Sequence, residues 1–399
     1  MVDVAPACRD DHDLADHLRA LLSDVDDGGL LVRGAVHLPD AVLGRVAAGV
    51  VRHMASRFIV GSDPKAAAGE LEGMWLAGKA TTLDLLGEAT VTEAEGDRYA
   101  ERCAGALRAL AEETRRWPAN ARLEATGSNS DSDSGSGSAG PPVPRADLSI
   151  KLSALTPLLR ACAPERGLAA KPRLRGLLRL AAHQGAHVQI DAESYDTHAA
   201  GIELALSTLA EDEFREGPSA GVVVQAYLRE SGRILDDVLD RAAAMGRAVP
   251  LSVRLVKGAY WDAETAQAAQ HGWTAPVFSE KAETDRNFEE LTARLLEHRQ
   301  TVRPLIASHN LRSVAHAIAL ARRAGAVSAL EFQVLRGLGD DLAHALAASG
   351  LRVRVYCPVG DLVAGMAYLV RRLLENTSND SFLHQAAAGE ALEELLRAP

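Results

Sequence analysis

The stretch GVVVQAYL at residues 221–228 is a short apolar run that ends in polar and aromatic residues. It is followed by ILDDVLDRAAAMG at residues 234–246, in which apolar residues recur at the spacing of a helix, and then by a second apolar run, PLSVRLVKGAY, at residues 250–260. Continuous apolar runs are typical of strands in a parallel sheet that helices cover on both faces. The three segments therefore predict one strand–helix–strand unit.

The same alternation extends over the chain after residue 145. Eight apolar runs fit it: DLSIKLSAL (147–155), HVQIDAES (187–194), GVVVQAYL, PLSVRLVKGAY, the weaker APVFSEK (275–281), RPLIASHN (303–310), ALEFQVLRG (329–337) and LRVRVYCPVG (351–360). Eight strand–helix units in about 250 residues are typical of a TIM barrel. An open doubly wound sheet is the alternative, but the regular repeats lack a glycine-rich phosphate turn. The pattern therefore favours an α/β fold, a (βα)8 TIM-like barrel.

Composition changes along the chain predict three parts. Residues 1–126 carry helical patterns with no convincing strand, which predicts a helical N-terminal arm. Residues 127–144, GSNSDSDSGSGSAGPPVP, offer almost nothing to bury and predict a flexible linker of Ser, Gly, Asp and Pro. The linker's GSGSAG matches the GxGxxG dinucleotide pattern in letters only, since no strand precedes it and Pro-Pro follows. Residues 145–399 are left for the barrel.

Charge and cysteine usage exclude several classes of protein. A net charge of -11 argues against a nucleic-acid partner, which requires concentrated Lys and Arg. No run approaches the roughly 18 apolar residues of a membrane-spanning helix, and the acidic N-terminus is unlike a signal peptide. The four cysteines are scattered, as expected for reduced thiols in the cytoplasm. The histidine pairs His12/His17 and His183/His187 lack further ligands at a recognisable spacing, so no metal site is predicted.

Polar residues at the ends of the strand runs are the candidates for chemistry. In a TIM barrel the active site lies at the carboxyl ends of the strands, and a buried barrel interior is expected to be Val, Ile and Leu. The candidates are Lys151, Asp191, Glu193, Gln225, Tyr227, Arg254, Lys257, Tyr260, Lys281, Ser308, His309, Asn310, Gln333 and Tyr356. Lys151, Arg254 and Lys257 would gather positive charge that suits an anionic ligand. Three reactions stay open: a Schiff-base aldolase or lyase using Lys151 or Lys257, a phosphate-dependent lyase, and a cofactor-dependent redox enzyme.

The stretch YLVRRLLEN, residues 368–376, has two interpretations. In a helix Tyr368, Arg371, Arg372 and Glu375 share one face, because 3.6 residues make a turn. A solvated face with an Arg371–Glu375 pair would suffice to explain them. In a standard barrel the last helix runs down the outside, which would leave both arginines in solvent.

Several ordered motifs stand out along the chain. They are SIKLSAL (149–155), IDAES (190–194), GVVVQAYL, VRLVKGAYWD (253–262), ASHN (307–310), EFQVLRG (331–337), YCPVG (356–360) and AYLVRRLLENTSN (367–379), with TTLDLLGEATVT (81–92) upstream. Together they resemble the proline dehydrogenase domain of the bacterial proline utilization A family. The resemblance implies a distorted (βα)8 barrel that holds FAD, with the last helix across the barrel mouth. It also implies oxidation of L-proline to Δ1-pyrroline-5-carboxylate, by hydride transfer from proline C5 to flavin N5.

The resemblance further implies roles for individual residues. Lys151 and Asp191 would line the proline site, Leu335, Tyr356 and Tyr368 would wall the pyrrolidine ring with Tyr260 nearby, and Arg371 and Arg372 would grip the carboxylate. Flavin contacts would come from Gln225, Arg254, Lys257, Trp261, Lys281, Ser308, His309 and Asn310. Glu375 would order the arginines and reach the flavin.

Partners also follow from the resemblance. The family passes electrons to a membrane quinone, so peripheral contact with the inner face of the membrane is expected of a cytoplasmic protein. Its enzymes commonly continue into an aldehyde dehydrogenase domain, whereas this sequence ends shortly after the arginine helix. We therefore expect a stand-alone enzyme, one paired with a separate dehydrogenase, or a shortened chain. A non-catalytic barrel that serves as a scaffold for a partner dehydrogenase is the remaining alternative.

Overall fold

The computed structural model describes residues 8, 10–23, 39–87, 90–124, 142–160, 162–361, 365, 368 and 392–399. Eight parallel strands form a closed barrel in chain order, and β8 pairs with β1. The strands are β1 (Ala80–Leu85), β2 (Asp147–Lys151), β3 (His187–Asp191), β4 (Ser219–Gln225), β5 (Leu251–Val256), β6 (Val302–Ala307), β7 (Glu331–Leu335) and β8 (Val353–Val359). The predicted (βα)8 barrel is confirmed.

Helices precede the barrel, connect its strands and follow it. In chain order they are α1 (Asp11–Ser23), α2 (Asp40–Ser56), α3 (Pro64–Leu76), α4 (Glu93–Thr114), α5 (Ala121–Glu124), α6 (Leu152–Leu155), α7 (Pro164–Gly167), α8 (Lys171–Gln184), α9 (Tyr195–Leu209), α10 (Ser231–Met245), α11 (Trp261–His271), α12 (Lys281–Glu297), α13 (Leu311–Arg323), α14 (Asp340–Ala348) and α15 (Leu392–Leu395). Helix starts follow their capping residues. Thr92 and Glu95 form a capping box at α4, and Asp63 accepts two backbone N–H bonds at α3.

The position of the first strand corrects the sequence-based assignment. The prediction that residues 1–126 contain no strand is wrong, because ATTLDL forms β1 and pairs with both β8 and β2. The run APVFSEK is not a barrel strand: Val277 makes only an isolated antiparallel bridge to Leu228. The other seven runs form β2 to β8. The barrel thus begins before the linker, and α4 is its first crossover helix. Residues 125–141, most of the linker, lie outside the described residues.

The barrel interior is polar, which contradicts the expectation of Val, Ile and Leu. Neighbouring positions around the barrel, connected by strand register, are Ser149, Gln189, Gly221, Ser252 and Arg303. Apolar residues such as Ile150, Val222 and Val253 alternate with them and are buried in the hydrophobic core. The strands looked continuously apolar because their outward faces are, while the inward faces carry hydrogen-bonding groups.

Below the strand ends the interior holds a network of buried ion pairs. Arg354 lies 2.6 Å from Glu331 and 2.8 Å from Asp147, and Arg303 also pairs with Glu331. Thr82 of β1 donates a 2.9 Å hydrogen bond to Asp147. These four charges are all buried and balance each other. Buried charges without such partners would be strongly unfavourable.

The end of the N-terminal arm joins the barrel at the carboxyl end of β8. Val60 N–H donates to Pro358 O at 3.0 Å, and Gly61 forms a parallel bridge with Val359. Helix α3 then buries Ala67, Leu71 and Trp75 in the core. The described residues contain no helix long and apolar enough to cross a membrane.

Candidate active site

Asp191, at the carboxyl end of β3, is the centre of a hydrogen-bond network. Its Oδ1 accepts bonds of 2.6 Å from Ser149 Oγ and 2.6 Å from Arg254 Nη1, and its Oδ2 accepts a 2.7 Å bond from Tyr356 OH. The Arg254 guanidinium also lies over the Tyr356 ring, 5.4 Å from its centroid. Burial raises the pKa of Tyr356 well above its ordinary value, so its hydroxyl keeps its proton as a donor. Four strands meet in this network.

Lys151 forms a buried ion pair with a residue that the sequence did not suggest. Its Nζ lies 2.5 Å from Asp84 Oδ1, with side-chain exposures of 8% and 2%. Asp84 lies on β1, which the sequence pattern does not predict as a strand, so the pattern does not indicate the partner of Lys151 either. In the run TTLDLLG, residues 81–87, Thr82 and Asp84 alternate with Leu83 and Leu85, but that local pattern does not reveal the lysine that Asp84 pairs with.

A second cationic group lies beyond β5. Asp285 of α12 pairs with Lys257 and, at 2.7 Å, with Lys281. Burial lowers the pKa of Lys257 to about 8, while Asp285 opposes that shift. The strand-end rule indicates both lysines but not Asp285, because a carboxylate within a helical sequence pattern is usually a surface residue. The structure thus brings Lys257 and Lys281 together through a shared carboxylate.

Some buried polar atoms at this end of the barrel have no partner among the described residues. Among them are Nε and Nη2 of Arg254 and Oε1 of Gln225. Gln225 uses its other amide atom, Nε2, to donate to Glu193 O at 3.2 Å. Buried polar groups in proteins are nearly always hydrogen-bonded. The unpaired donors and acceptor therefore indicate a ligand that offers both acceptors and donors.

Residues after β6 are held by local bonds. His309 Nε2 accepts a 2.9 Å bond from Leu335 N–H of β7, so that nitrogen carries no proton. Asn310 caps α13 by accepting from Ser313 N–H at 3.2 Å, and Ser308 Oγ accepts from Asn310 N–H at 3.1 Å. These hydrogen bonds hold the turn after β6 in place and connect it to the end of β7.

The remaining suggested residues lie around the mouth. Tyr260 precedes α11, and Trp261 begins it and donates from Nε1 to Phe278 O at 2.8 Å. Tyr368 is buried with Phe58 and Leu86, and Tyr356 packs against the same cluster. Tyr368 thus contacts the end of the barrel that carries Asp191. Arg371, Arg372 and Glu375 lie outside the described residues, as does most of the predicted helix across the mouth.

Glu193 lies just after β3, and the family resemblance implies no role for it. Its carboxylate accepts from Ser153 Oγ at 2.7 Å, and burial raises its pKa. The pKa of this carboxyl group is therefore higher than that of an exposed glutamate.

Among the described residues, one group of side chains brings its ligand atoms close enough together to hold a metal ion. It consists of His12, Asp16 and Asp40 at the surface of α1 and α2, where Arg19 already pairs with Asp40.

Comparisons with known proteins agree with one another. A family model described as proline dehydrogenase matches residues 68–385. The bifunctional protein PutA of Escherichia coli (strain K12) is 30% identical over 358 residues, which are 88% of this chain and 25% of that protein. Proline dehydrogenase 1 of Bacillus subtilis (strain 168) is 28% identical over 331 residues, 82% of this chain and 89% of that protein.

The solved structures give the same result. The crystal structure of proline utilization A (PutA) from Bdellovibrio bacteriovorus, inactivated by N-propargylglycine, superposes with a TM-score of 0.89 and 33% identity, over 100% of this chain and 39% of that one. The alignments with the curated PutA relatives from Rhizobium meliloti and Escherichia coli cover only 19% and 25% of the length of those proteins.

Proposed function

We propose, since the chain belongs to the proline dehydrogenase family, that it oxidises L-proline to Δ1-pyrroline-5-carboxylate, the first step of proline catabolism to glutamate. The observation that carries the proposal is the Asp191 network, in which Arg254 keeps two buried nitrogens without a partner among the described residues. That arrangement prepares a cationic donor for an electron-rich ligand at the carboxyl end of the barrel.

FAD fits these residues. The N–H groups of Arg254 and the amide oxygen of Gln225 that have no partner in the described part of the chain match a flavin ring, which carries both acceptors and a donor. Lys257 would favour negative charge on the ring after reduction. We propose contacts from Gln225, Arg254, Lys257, Trp261, Lys281, Ser308, His309, Asn310 and Glu375. When bound, FAD supplies the acceptor for the hydride that leaves proline C5.

The proline site would use the other side of the mouth. We propose Lys151, Asp191, Tyr260, Leu335, Tyr356, Tyr368, Arg371 and Arg372 as its residues. Two guanidinium groups suit the carboxylate of zwitterionic proline, and leucine and tyrosine faces suit its apolar ring. The amine must lose a proton before C5 can release a hydride, because a protonated nitrogen has no electron pair for the C=N bond. Water or the carboxylates of Asp191 and Glu193 would take that proton.

The setting of the reaction is part of the proposal. We propose a quinone in the membrane as final electron acceptor, reached by a cytoplasmic protein that touches the inner face of the membrane. The PutA relatives are named bifunctional proteins, which supports an aldehyde dehydrogenase partner, fused or separate. Neither partner is needed for the first half-reaction.

Anaerobic titration with L-proline tests cofactor, substrate and reaction together. The protein loaded with FAD should be yellow and should lose its flavin absorbance as L-proline is added. A protein that stays colourless with added FAD contradicts the proposal. Bound flavin that proline does not bleach would favour the non-catalytic scaffold, and borohydride trapping of a substrate carbon on Lys151 or Lys257 would favour the lyase.

A further inference from the structure

Arg336 lies in the loop after β7, next to Leu335 of the proposed proline pocket, and has no role so far. Its backbone N–H donates to Tyr356 O at 3.1 Å. The neighbouring Leu335 N–H donates to His309 Nε2. Two consecutive backbone N–H groups, those of Leu335 and Arg336, therefore connect Tyr356 of the proposed proline site with His309 of the proposed flavin site.

The side chain of Arg336 points the other way, to the N-terminal arm. Its Nη1 forms an ion pair with Glu70 of α3, and its Nη2 donates to Ser56 O, at the end of α2, at 3.3 Å. The Arg336 side chain is only 15% exposed. One guanidinium thus connects two arm helices to a loop of the barrel mouth, while its partner Glu70 is 40% exposed.

Packing at the same contact is close. Gly337 has φ +80°, and a Cβ there would lie 2.6 Å from Arg57 O and 2.8 Å from the Phe58 ring. Phe58 belongs to the cluster that buries Tyr368, and Leu338 packs against that cluster. The arm therefore touches both the loop that directly follows Leu335 and the side chain of Tyr368.

We propose that Arg336, paired with Glu70, is a positioning residue that holds the arm against the β7–α14 loop and so fixes the pocket wall of Leu335, Tyr356 and Tyr368. The inference rests on the proposed function of this site. Arg336 acts through its neighbours: without the pair, the wall samples more arrangements, and ordering it on binding reduces affinity for the proline ring. The contacts of Asp191 and Arg254 do not involve the arm, so the chemical step should be little affected.

The test compares Glu70→Gln and Arg336→Gln with the unchanged protein. Each should raise KM for L-proline about fivefold and change kcat by less than about twofold. The exchanged pair, Glu70→Arg with Arg336→Glu, should return KM to within about twofold of the starting value. Arg175→Gln is the matched control, because Arg175 pairs bidentately with Glu211 at 2.6 and 2.8 Å on the outer face of the barrel. Its KM should not change.

A second measurement does not depend on turnover. Hydrogen exchange of residues 55–63 and 335–339 should speed up in both single variants and not in the control. An unchanged KM in both single variants, unchanged exchange, or an exchanged pair whose KM is no lower than that of Arg336→Gln would overturn the inference. Absence of flavin bleaching by proline in the unchanged protein would instead reject the proposed function, while the exchange experiment would still test the contact.

Discussion

Replacing Asp84 by asparagine should be among the most damaging single changes in the barrel. The substitution keeps size and shape but removes the carboxylate that lies 2.5 Å from the Lys151 ammonium, in a place where the two side chains are 2% and 8% exposed. A buried charge that loses its adjacent counter-charge costs about 3–5 kcal/mol, because its desolvation is offset less. We therefore expect Asp84→Asn to lower the free energy of unfolding by that amount.

Two controls separate the charge from the packing. Asp84→Leu combined with Lys151→Met removes both charges and should stay within about 2 kcal/mol of the starting stability, although it removes a proposed substrate residue. Glu211→Gln breaks the Arg175 pair, which is 24% to 32% exposed, and should cost less than about 1 kcal/mol.

Urea unfolding followed by circular dichroism measures all three variants. The reasoning requires Asp84→Asn to be far less stable than the double substitution, even though it changes fewer atoms. If Asp84→Asn costs less than about 1 kcal/mol, or if the double substitution is the worse of the two, the pair is not held as a buried ion pair.

Three further predictions concern the same barrel. Although burial alone would raise the pKa of Glu331, Arg354 and Arg303 hold that pKa well below its ordinary value. The resulting stabilisation is present above the unfolded-state pKa and is lost as the pH falls toward the folded-state pKa. Glu331→Gln should therefore lower the urea midpoint at pH 7 and flatten the decline of that midpoint below about pH 4.3. A midpoint with unaltered pH dependence would contradict that linkage. Arg254→Met should weaken FAD binding about tenfold, by loss of charged hydrogen bonds, in a fluorescence titration of the apoprotein; equal affinity would refute the flavin contact. Arg372→Ala should raise KM for L-proline by about tenfold or more with FAD still bound, and an unchanged KM would refute the carboxylate role.

The fold was predictable where the outward faces of the strands are apolar. Residues such as Ile150, Val222 and Val253 make β2, β4 and β5 visible as short runs bounded by helical patterns. Strand β1 was missed because half of its six residues, Thr81, Thr82 and Asp84, are polar although all are buried. Their partners are far away in the chain, so no local window could show that a polar strand is satisfied inside a barrel.

The candidate site was predictable in part, because its residues lie on strands that the sequence pattern makes visible. The rule that active-site residues lie at strand ends indicates Asp191, Arg254 and Tyr356 as candidates, and the fold brings them within hydrogen-bond distance of one another. It could not find Asp84 or Asp285, because a carboxylate that orders a lysine is defined by its distance to that lysine.

The polar interior explains why the mouth can hold several charges without loss of order. Arg354 and Arg303 pair with Asp147 and Glu331 in the lower layer, and the same strands β2 and β8 then supply Lys151 and Tyr356 above it. Lys151 is in turn matched by Asp84. Because the charges named here are paired with opposite charges in both layers, the strand register, and not flexible loops, fixes the positions of the upper side chains relative to one another.

One cation in the upper layer differs from the others. Arg254 shares Asp191 with Ser149 and Tyr356, so a single carboxylate satisfies only one end of its guanidinium, and Nε and Nη2 stay buried without a partner among the described residues. Those two N–H groups have fixed directions, because the Asp191 bond and the Tyr356 ring hold the guanidinium plane. A bound ring that accepts both bonds would be oriented by them. In the proposed function, the Asp191 network would therefore set the orientation of the flavin, and with it the face that the flavin offers to proline.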